Sequence, residues 1–303
     1  MKKQEILKNI KKNKFAYLCI SPFFILFTIF TVAPVVSSIA LSFTYYNILQ
    51  PPQFVGFDNY AKMFFGDDIF MKSFINTLVM ALVVGPVSYL GALLLAWMIN
   101  ELPHGIRTVM VLFIYAPSIT GNAYVIWSLI FSGDSNGYAN AFLQNLGLID
   151  NPIQWFTDTD YMMPLVIFIS LWMSMGAGFL SFVAGLKGLD KSLYEAGMLD
   201  GIGNRWQELW FITLPQLKPQ LMFGAVMSIT NAFSIGAIVE ALCGNPSTDY
   251  AVNTIINHIN DYGGARYDMG YSAALSTVLF LIMYLLRREL WDTYPRSPPS
   301  QIV

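Results

Sequence analysis

Charged residues are scarce in this chain of 303 residues. Asp, Glu, Lys and Arg together make up 12% of it, whereas 55% is hydrophobic and the mean hydropathy is +0.52. A soluble domain typically carries about 25% charged residues, so the composition excludes an ordinary soluble protein. The net charge of −2 identifies no partner, because basic and acidic residues occupy different segments. No nucleic-acid partner is expected.

Cysteine and histidine are also rare, with two of each. Cys19 and Cys243 both fall within apolar stretches, so no disulfide framework is predicted. His104 and His258 lie in loops on opposite sides of the predicted membrane, where they cannot share a metal ion. No Ser/His/Asp or Cys/His combination can be assembled across those faces. We therefore expect no metal, no cofactor and no covalent catalysis.

A phosphate-binding loop is absent as well. The sequence contains no Gly-x-x-x-x-Gly-Lys-Ser/Thr segment, whose backbone N–H groups cradle phosphates in many ATPases. The chain is therefore not expected to be an enzyme, and any ATP that drives it would be hydrolysed on separate subunits.

Long apolar stretches are abundant, and six of them approach or exceed the roughly 20 residues needed to cross a bilayer. They cover residues 15–43, 74–100, 108–131, 161–185, 219–243 and 269–286. The first is too long for a signal peptide and is interpreted as a retained span. We predict an all-α, polytopic membrane protein with six transmembrane helices: a basic cytoplasmic segment 1–14, a membrane domain 15–288 and a cytoplasmic tail 289–303, unstructured from Trp291. Breaks are expected at Gly85-Pro86 in span two and at Pro117 in span three.

Lysine and arginine are distributed unevenly among the segments between these spans. With the N-terminus inside, the inner segments hold 14 of the 17 basic residues, and the outer loops hold only Lys62, Lys72 and Arg266 against ten Asp. Basic residues favour the cytoplasmic side of a membrane. The sequence therefore predicts that both termini are cytoplasmic and that the loop 186–218 also lies in the cytoplasm.

The loop between spans four and five contains signals for two short helices. Capping-box spacing occurs twice, and each time residues that stop a helix follow. The first set is Ser192, Glu195 and Gly201, and the second is Asn204, Gln207, Pro215 and Pro219, where the prolines are expected to close the second helix. Spacing alone is equally consistent with a loop that packs on its own bundle and with one that binds another protein.

The order of residues in this loop distinguishes those two interpretations. The loop contains Glu195-Ala196-Gly197, Asp200-Gly201 and Ile212-Thr213-Leu214-Pro215. This order resembles the Glu-Ala-Ala loop of binding-protein-dependent ABC importer permeases, which runs Glu-Ala-Ala, three residues, Gly and later Ile-x-Leu-Pro. The chain departs from that pattern by Gly197 in place of Ala and by ten residues instead of nine between Gly201 and Ile212. We interpret the extra residue as part of the turn 202–204.

The resemblance implies a coupling helix that docks on a cytoplasmic ATP-binding subunit. The residues carried over to that role are Glu195, Ala196, Gly197, Asp200, Gly201, Ile212, Leu214 and Pro215. Further segments, from about Phe15 to Arg288, resemble the carbohydrate-uptake branch of these permeases. They include residues 54–60, Asn76-Thr77, Ser21-Pro22 and residues 153–156.

Within that branch the chain resembles the first permease subunit of maltose and glycerol-phosphate importers. The resemblance implies a multi-pass protein of the bacterial cytoplasmic (inner) membrane, in contact with membrane lipid. It also implies a heterodimer with a second permease subunit, two cytoplasmic ATP-binding subunits and an extracytoplasmic sugar-binding protein.

Polar residues at membrane depth indicate a route for substrate, because such residues normally face the bundle interior or a water-filled cavity. Ser228 and Asn231 belong to a polar stripe on span five with Gly224 and Ser234, and Trp172 in span four and Asn122 in span three complete the candidates. An aromatic ring beside an amide suits the apolar face and the hydroxyl groups of a sugar. The alternative for the stripe is helix packing, and the alternative for tryptophan is an interfacial position.

The function expected from these observations is translocation of a sugar or oligosaccharide by alternating access, driven by partner ATPases. The alternative is a proton- or sodium-coupled secondary sugar transporter. Glu240, the sole acidic residue inside a span, would then be the relay, but it lies near the outer end of span five, where a carboxylate reaches interfacial water. No internal repeat is evident, as many secondary transporters would require. The sequence does not identify the sugar.

Overall fold

The computed structural model describes residues 13–293, with side chains described through residue 289. Its helices are α1 (Lys14–Phe27), α2 (Ala33–Leu41), α3 (Asp58–Phe65), α4 (Asp68–Asn100), α5 (His104–Thr120), α6 (Tyr124–Ile130), α7 (Tyr138–Asn145), α8 (Thr159–Ser174), α9 (Gly176–Lys187), α10 (Lys191–Leu199), α11 (Arg205–Glu208), α12 (Leu214–Gln216), α13 (Lys218–Phe233), α14 (Gly236–Cys243), α15 (Ile255–Asn260) and α16 (Met269–Thr293). Strands β1 (Thr44–Tyr45) and β2 (Gln53–Phe54) pair antiparallel. π-Helical turns lie at Thr28–Val32, Leu209–Thr213 and Asp261–Ala265, and a 3₁₀ turn lies at Thr248–Tyr250.

Six membrane spans can be counted in the described part of the chain. Five segments are long and apolar enough to cross a bilayer: Lys14–Leu41, Asp68–Asn100, Thr159–Lys187, Lys218–Cys243 and Met269–Glu289. The sixth is the pair His104–Thr120 and Tyr124–Ile130, which is bent by 100°. With that pair counted as one span, the predicted all-α, six-span membrane fold is confirmed.

The predicted break in span two is wrong, because its helix is continuous, and the predicted break in span three is wrong in position. Helix α4 continues through Pro86, and α5 continues through Pro117. Membrane helices tolerate proline where neighbouring groups satisfy the freed backbone. The bend in span three instead follows Gly121, which has a φ of +64°. Glycine adopts this conformation without a Cβ clash, so it provides the turn that proline does not.

The last helix is longer than predicted. The apolar pattern ended at Leu286, whereas α16 continues to Thr293 and therefore includes Trp291, the predicted start of an unstructured tail. Arginine has a high helix propensity, so Arg287 and Arg288 extend the helix past the apolar region. Most of the basic segment 1–14 and the tail residues 294–303 lie outside the described residues.

The described chain divides into two compact units, of which the first comprises residues 13–66 and 262–278. Here the buried side chain of Asn59 donates hydrogen bonds of 2.9 Å to the carbonyl oxygens of Ser42 and Thr44, which fixes the start of the β1–β2 hairpin. The backbone N–H of Gly270 donates to the carbonyl oxygen of Tyr46 at 3.1 Å. None of the side chains of α1 and α2 is buried. Their apolar surface therefore remains available to lipid or to another subunit.

The second unit comprises residues 67–261 and 279–293 and is built around α4, which packs against α9, α13 and α8. Two apolar clusters fill it. One contains Ala92, Leu93, Ala96 and Ile99 of α4, Phe179, Phe182, Val183 and Leu186 of α9, and Leu217. The other contains Met80 and Val84 of α4, Met162 and Val166 of α8, Ile235, Val239 and Val252.

Small residues let α9 and α13 approach closely. A Cβ added at Gly178 would lie 3.7 Å from the Cα of Gly224, and one added at Gly224 would meet the ring of Phe182. Lipid tails are as apolar as leucine, so helices in a membrane associate through such close packing and through interhelical hydrogen bonds. Gly224, which was placed on the polar stripe of span five, therefore belongs to a helix contact.

We predict that Gly224→Ile destabilises the second unit by about 1–3 kcal/mol, the usual cost of overpacking a filled core. The added side chain would displace the Phe182 ring. Thermal unfolding in detergent, followed by tryptophan fluorescence, should show a lower midpoint than for the parental protein. Gly105→Ile is the matched control because a Cβ at Gly105 meets no atom within 4 Å. Equal midpoints for the two variants would contradict the packing described here.

Candidate functional site

The first helix of the loop between spans four and five is α10, and it begins two residues earlier than the capping box predicted. Its N-cap is Asp190, whose carboxylate accepts the backbone N–H of Ser192 at 3.0 Å. The predicted cap at Ser192 is therefore wrong, because a stronger acceptor precedes it. Two hydrogen bonds from Ser192 lower the pKa of Asp190 below its ordinary value, because they stabilise the charged carboxylate. The larger effect comes from the backbone N–H of Ser192, and the smaller one comes from its side chain.

The end of α10 lies where predicted, at Gly201. This residue has a φ of +92°, which side-chain-bearing residues rarely adopt. The N–H of Gly201 donates to the carbonyl of Met198 at 3.3 Å, and the N–H of Ile202 donates to the carbonyl of Gly197 at 3.0 Å. These two bonds form a Schellman motif, which satisfies the last carbonyl groups of the helix.

Gly197 is the point of closest packing between the two parts of the loop. A Cβ at this position would lie 2.6 Å from Ile212 Cδ1 and 3.2 Å from Ile202 Cδ1. Gly197 and Ile212 are both buried, whereas Glu195, Ala196 and Asp200 are exposed. At Gly197, where the family pattern has Ala, Ile212 therefore occupies the space that the methyl group of alanine would need.

The second part of the loop begins as predicted but does not end as predicted. The side chain of Asn204 accepts the N–H of Gln207 at 2.8 Å, and Gln207 Oε1 accepts the N–H of Gly203 at 3.0 Å. Pro215 and Pro219 do not close the second helix. Each lies at the start of the next helical segment, α12 or α13, where a missing N–H is tolerated.

Between α11 and α12 the chain forms a π-helical turn at Leu209–Thr213. Such a turn contains one residue more than an α-helical turn needs. The extra residue of this loop can therefore lie in the π-helical turn instead of in the turn 202–204. The turn also contains Ile212, the residue that packs on Gly197.

Polar and aromatic contacts fix the loop to itself and to the adjacent end of α4. Tyr194 Oη lies 3.0 Å from Thr213 Oγ1, which links α10 to the π-helical turn. Arg205 forms ion pairs with Glu101 at 3.2 Å and with Glu208 at 2.7 Å. The hydrogen bond to Glu208 raises the pKa of Arg205, and the charge of Glu101 adds to this effect.

An aromatic pair adds a further contact, since the rings of Trp97 and Trp206 are 5.4 Å apart. Trp97 belongs to α4 and Trp206 to α11, so the pair connects the loop to span two. Together with the Arg205–Glu101 ion pair, it holds the second part of the loop on the bundle. Most of the first part, α10, remains exposed.

Large apolar side chains are exposed on this loop although the loop is otherwise polar. Leu199 is 90% exposed, Phe211 70%, Trp210 65% and Met198 60%. We refer to these four residues as the loop apolar face. A contiguous exposed apolar surface commonly marks a protein or membrane contact. Sequence reasoning missed these residues, because none of them belongs to the motif that it followed.

The predicted pathway residues fall into different surroundings. Ser228 is buried, and its hydroxyl donates to the carbonyl of Gly85 at 2.6 Å, across the contact between α13 and α4. Asn231 Nδ2 donates to the carbonyl of Ser174 at 3.0 Å, at the end of α8. Asn122 is exposed in the bend of span three, where its side chain accepts from Tyr124 Oη at 3.2 Å.

Trp172 belongs to a continuous series of aromatic rings that the sequence did not reveal. Neighbouring ring centroids in the series are 5.3–6.3 Å apart: Tyr161, Trp155, Phe131, Trp127, Trp172 and Phe113. The indole N–H of Trp127 is buried and finds no acceptor among the described residues. These rings come from four separate segments, so no periodicity connects them along the chain.

The remaining candidates for chemistry are satisfied by structural contacts. His258 is not in a loop but within α15, and its Nε2 lies 2.8 Å from Asp67 Oδ2. Glu240 is exposed and accepts a hydrogen bond from Asn260 at 3.1 Å, outside the bundle core. In residues 13–293 no group of three His, Cys, Asp or Glu residues could hold a metal ion.

Six apolar spans, with the bent pair counted as one, define a polytopic membrane protein. The chain belongs to the binding-protein-dependent transport system inner membrane component family, whose sequence model matches residues 88–288. It is therefore a permease subunit of a carbohydrate ABC importer, as its relatives indicate.

Several relatives and solved structures are similar to this chain over nearly its whole length. The probable ABC transporter permease protein YesP of Bacillus subtilis is 33% identical, over 94% of this chain and 92% of that protein. The arabinooligosaccharides transport system permease protein AraP of the same organism is 30% identical, over 91% and 87%. A bacterial ABC transporter for the acidic polysaccharide alginate contains a chain with a TM-score of 0.78 and 26% identity, covering 96% of this chain and 100% of that one.

Proposed function

We propose that this permease translocates a sugar or oligosaccharide that an extracytoplasmic binding protein delivers to it. It does so by alternating access, as one half of a heterodimer with a second permease and with two cytoplasmic ATP-binding subunits. The relatives named for arabinooligosaccharide transport support the saccharide class. The alginate importer has also been solved with a periplasmic protein that holds an alginate pentasaccharide, which supports delivery by a binding protein.

The observation that carries this proposal is the loop apolar face beside the Schellman turn at Gly201. Met198 and Leu199 end α10, and Trp210 and Phe211 lie in the π-helical turn that packs on it. Burying this surface against an ATP-binding subunit would stabilise the complex by roughly 25 cal/mol for each Å² of apolar area removed from water. Because the loop is also fixed to α4, motion of the docked subunit would reach the spans.

Coupling of this kind is a free energy shared between two sites. In the proposed cycle, closure of the ATP-binding subunits moves α10 and changes the spans from inward-open to outward-open. The link through Arg205 and Glu101 transmits force only while both ends stay rigid. The two caps of the loop, at Asp190 and Asn204, support that rigidity.

The coupling proposal is tested by Gly201→Val. A β-branched side chain at a φ of +92° should cost about 1–2 kcal/mol and disturb the end of α10. We expect normal membrane abundance, reduced co-purification of the ATP-binding subunits and loss of uptake. Gly203→Val is the matched control, since Gly203 has no atom within 4 Å of its Cβ position and no positive φ. Unchanged uptake in Gly201→Val would refute the assignment of this loop.

The proposed orientation places both termini and this loop in the cytoplasm. It is supported by the 14 of 17 basic residues that then lie inside. It can be tested with single cysteines in a background in which Cys19 and Cys243 are replaced by alanine. Asp160→Cys should react with an impermeant maleimide added to intact cells, whereas Lys191→Cys should react only after the membrane is opened. Both positions are exposed in the structure, so the reverse pattern would overturn the orientation.

For the substrate pathway, we propose Asn231 and Trp172, with Asn122 at the bend of span three. Asn231 uses its amide N–H to bind the Ser174 carbonyl, and among the described residues no donor reaches its Oδ1. That oxygen is therefore available to a sugar hydroxyl. Trp172 is half-buried and lies between Trp127 and Phe113 in the aromatic series, where a ring can stack on the apolar face of a sugar. Ser228, by contrast, has its hydroxyl committed to Gly85.

We expect Asn231→Leu to reduce sugar uptake while the ATP-binding subunits still bind and basal hydrolysis persists. Loss of the bond removes a donor from the Ser174 carbonyl and should lower the free energy of unfolding by about 1–3 kcal/mol. Thr230→Leu is the control, because Thr230 is exposed and bonds only within its own helix. Trp172→Leu is the companion variant. If Asn231→Leu and Trp172→Leu both transport at the parental rate, the pathway follows other residues and Asn231 is only a helix contact.

A further inference from the structure

We infer that this permease has a second saccharide site, outside the membrane pathway, beside the turn that connects β1 and β2. The inference rests on the proposed function and orientation, which put this part of the first unit on the outer face. A cleft of about 670 Å³ opens there, lined by Tyr45, Asn47, Ile48, Tyr262, Arg266 and Tyr267, with Leu49 and Asp268 at its edge. Small-molecule sites commonly have volumes of about 300–1,000 Å³.

The walls of the cleft are held in place by hydrogen bonds of the first unit. Gly270 N–H donates to the carbonyl of Tyr46 at 3.1 Å, which fixes one wall to the start of α16. On the other wall, the N–H of Asp268 donates to the carbonyl of Tyr262 at 2.8 Å. The carboxylate of Asp268 is also engaged, since it forms an ion pair with Lys62 at 3.2 Å. The cleft is therefore preformed.

The side chains of the cleft have the chemistry that a saccharide requires. The rings of Tyr45 and Tyr267 are about half exposed, at 45% and 55%, so each offers a flat apolar surface to the C–H face of a sugar ring. The guanidinium of Arg266 supplies planar hydrogen-bonding groups for sugar hydroxyls. Asn47 instead shapes the wall, since its Oδ1 accepts the N–H of Gln50 at 3.1 Å and its Nδ2 donates to Tyr45 Oη at 3.4 Å. The guanidinium lies 4.4 Å from the ring centroid of Tyr262, a contact that orients it at the cleft.

Two residues of the cleft adopt a backbone conformation that side-chain-bearing residues rarely show. Ile48 has a φ of +66° and Tyr267 a φ of +57°. For a β-branched residue such as Ile48 this is a genuine outlier. Residues of this kind cluster at ligand sites, where the surrounding structure holds them against their preference. Ile48 lies on one wall of the cleft and Tyr267 on the other.

The experiment uses the complete importer in lipid nanodiscs, without the binding protein. Three trisaccharides serve as probes: maltotriose, α-1,5-arabinotriose and trimannuronate. Binding is measured by saturation-transfer NMR and by titration, in the parental protein and in the Asn231→Leu background, in which the membrane pathway is altered. We expect at least one probe to bind in both backgrounds, and its Kd to rise at least tenfold in Tyr45→Ala and in Tyr267→Gly.

Tyr138→Ala is the matched control, because Tyr138 is a 73% exposed tyrosine on the separate helix α7. Its Kd should equal the parental value. Glycine at position 267 retains the positive φ, and Tyr45→Leu provides a second variant that keeps an apolar side chain if Tyr45→Ala proves unstable. Equal thermal midpoints for all variants establish that a change in Kd arises at the cleft.

The cleft proposal is overturned if no probe binds although the importer transports one of them, a result that leaves the proposed function intact. It is also overturned if the cleft variants weaken association of the binding protein but leave every saccharide Kd unchanged, because the cleft is then a protein contact. Failure of the importer to take up any saccharide of a wider panel would refute the proposed function, and this inference with it.

Discussion

Hydrogen bonds from span five to the backbone of its neighbours are the interactions on which the membrane unit depends. Ser228 binds the carbonyl of Gly85 beside Pro86, and Asn231 binds the carbonyl of Ser174 where α8 ends. In lipid, a backbone group without a partner costs several kcal/mol, so irregular helix positions need such side chains. The same stripe of small and polar residues thus lets α13 approach α4 and α9 and supplies donors to the carbonyl of Gly85 in span two and to that of Ser174 in span four.

The loop between spans four and five depends on that bundle but has its own rigidity. Its first helix is capped at Asp190 and terminated by the Schellman turn at Gly201. Gly197 permits Ile212 to pack on the helix, and Arg205 and Trp206 connect the loop to α4. In the proposed cycle, a preorganised loop would lose little of the docking energy to its own rearrangement.

The part of the first unit around the β1–β2 hairpin has a different character. Its aromatic and charged side chains surround a cleft, whereas the helices α1 and α2 of the same unit bury none of their side chains. The unburied surface is where the proposed partners are expected. About half of any folded surface is apolar, so the exposed apolar residues of this chain do not indicate instability. They are where contacts with lipid and with other subunits are expected.

Much of the architecture was predictable because the bilayer imposes a simple rule on sequence. Spans of about 20 apolar residues, the bias of lysine and arginine, and Gly201 as a helix end follow from hydropathy, charge and backbone freedom, which are local properties. The order Glu195, Gly201, Ile212 and Pro215 could likewise be recognised without coordinates, and it indicated the family that the comparisons then showed.

Only the tertiary structure decided how helices respond to their neighbours. Proline did not break α4 at Pro86, the bend of span three moved to Gly121, and Asp190 displaced Ser192 as the cap of α10. The contacts of Asn231, the aromatic series through Trp172 and the exposed face at Leu199 join residues far apart in the chain or depend on what packs beside them. A sequence specifies local preference and length, whereas the partner of a polar group or an exposed ring is chosen by packing in three dimensions.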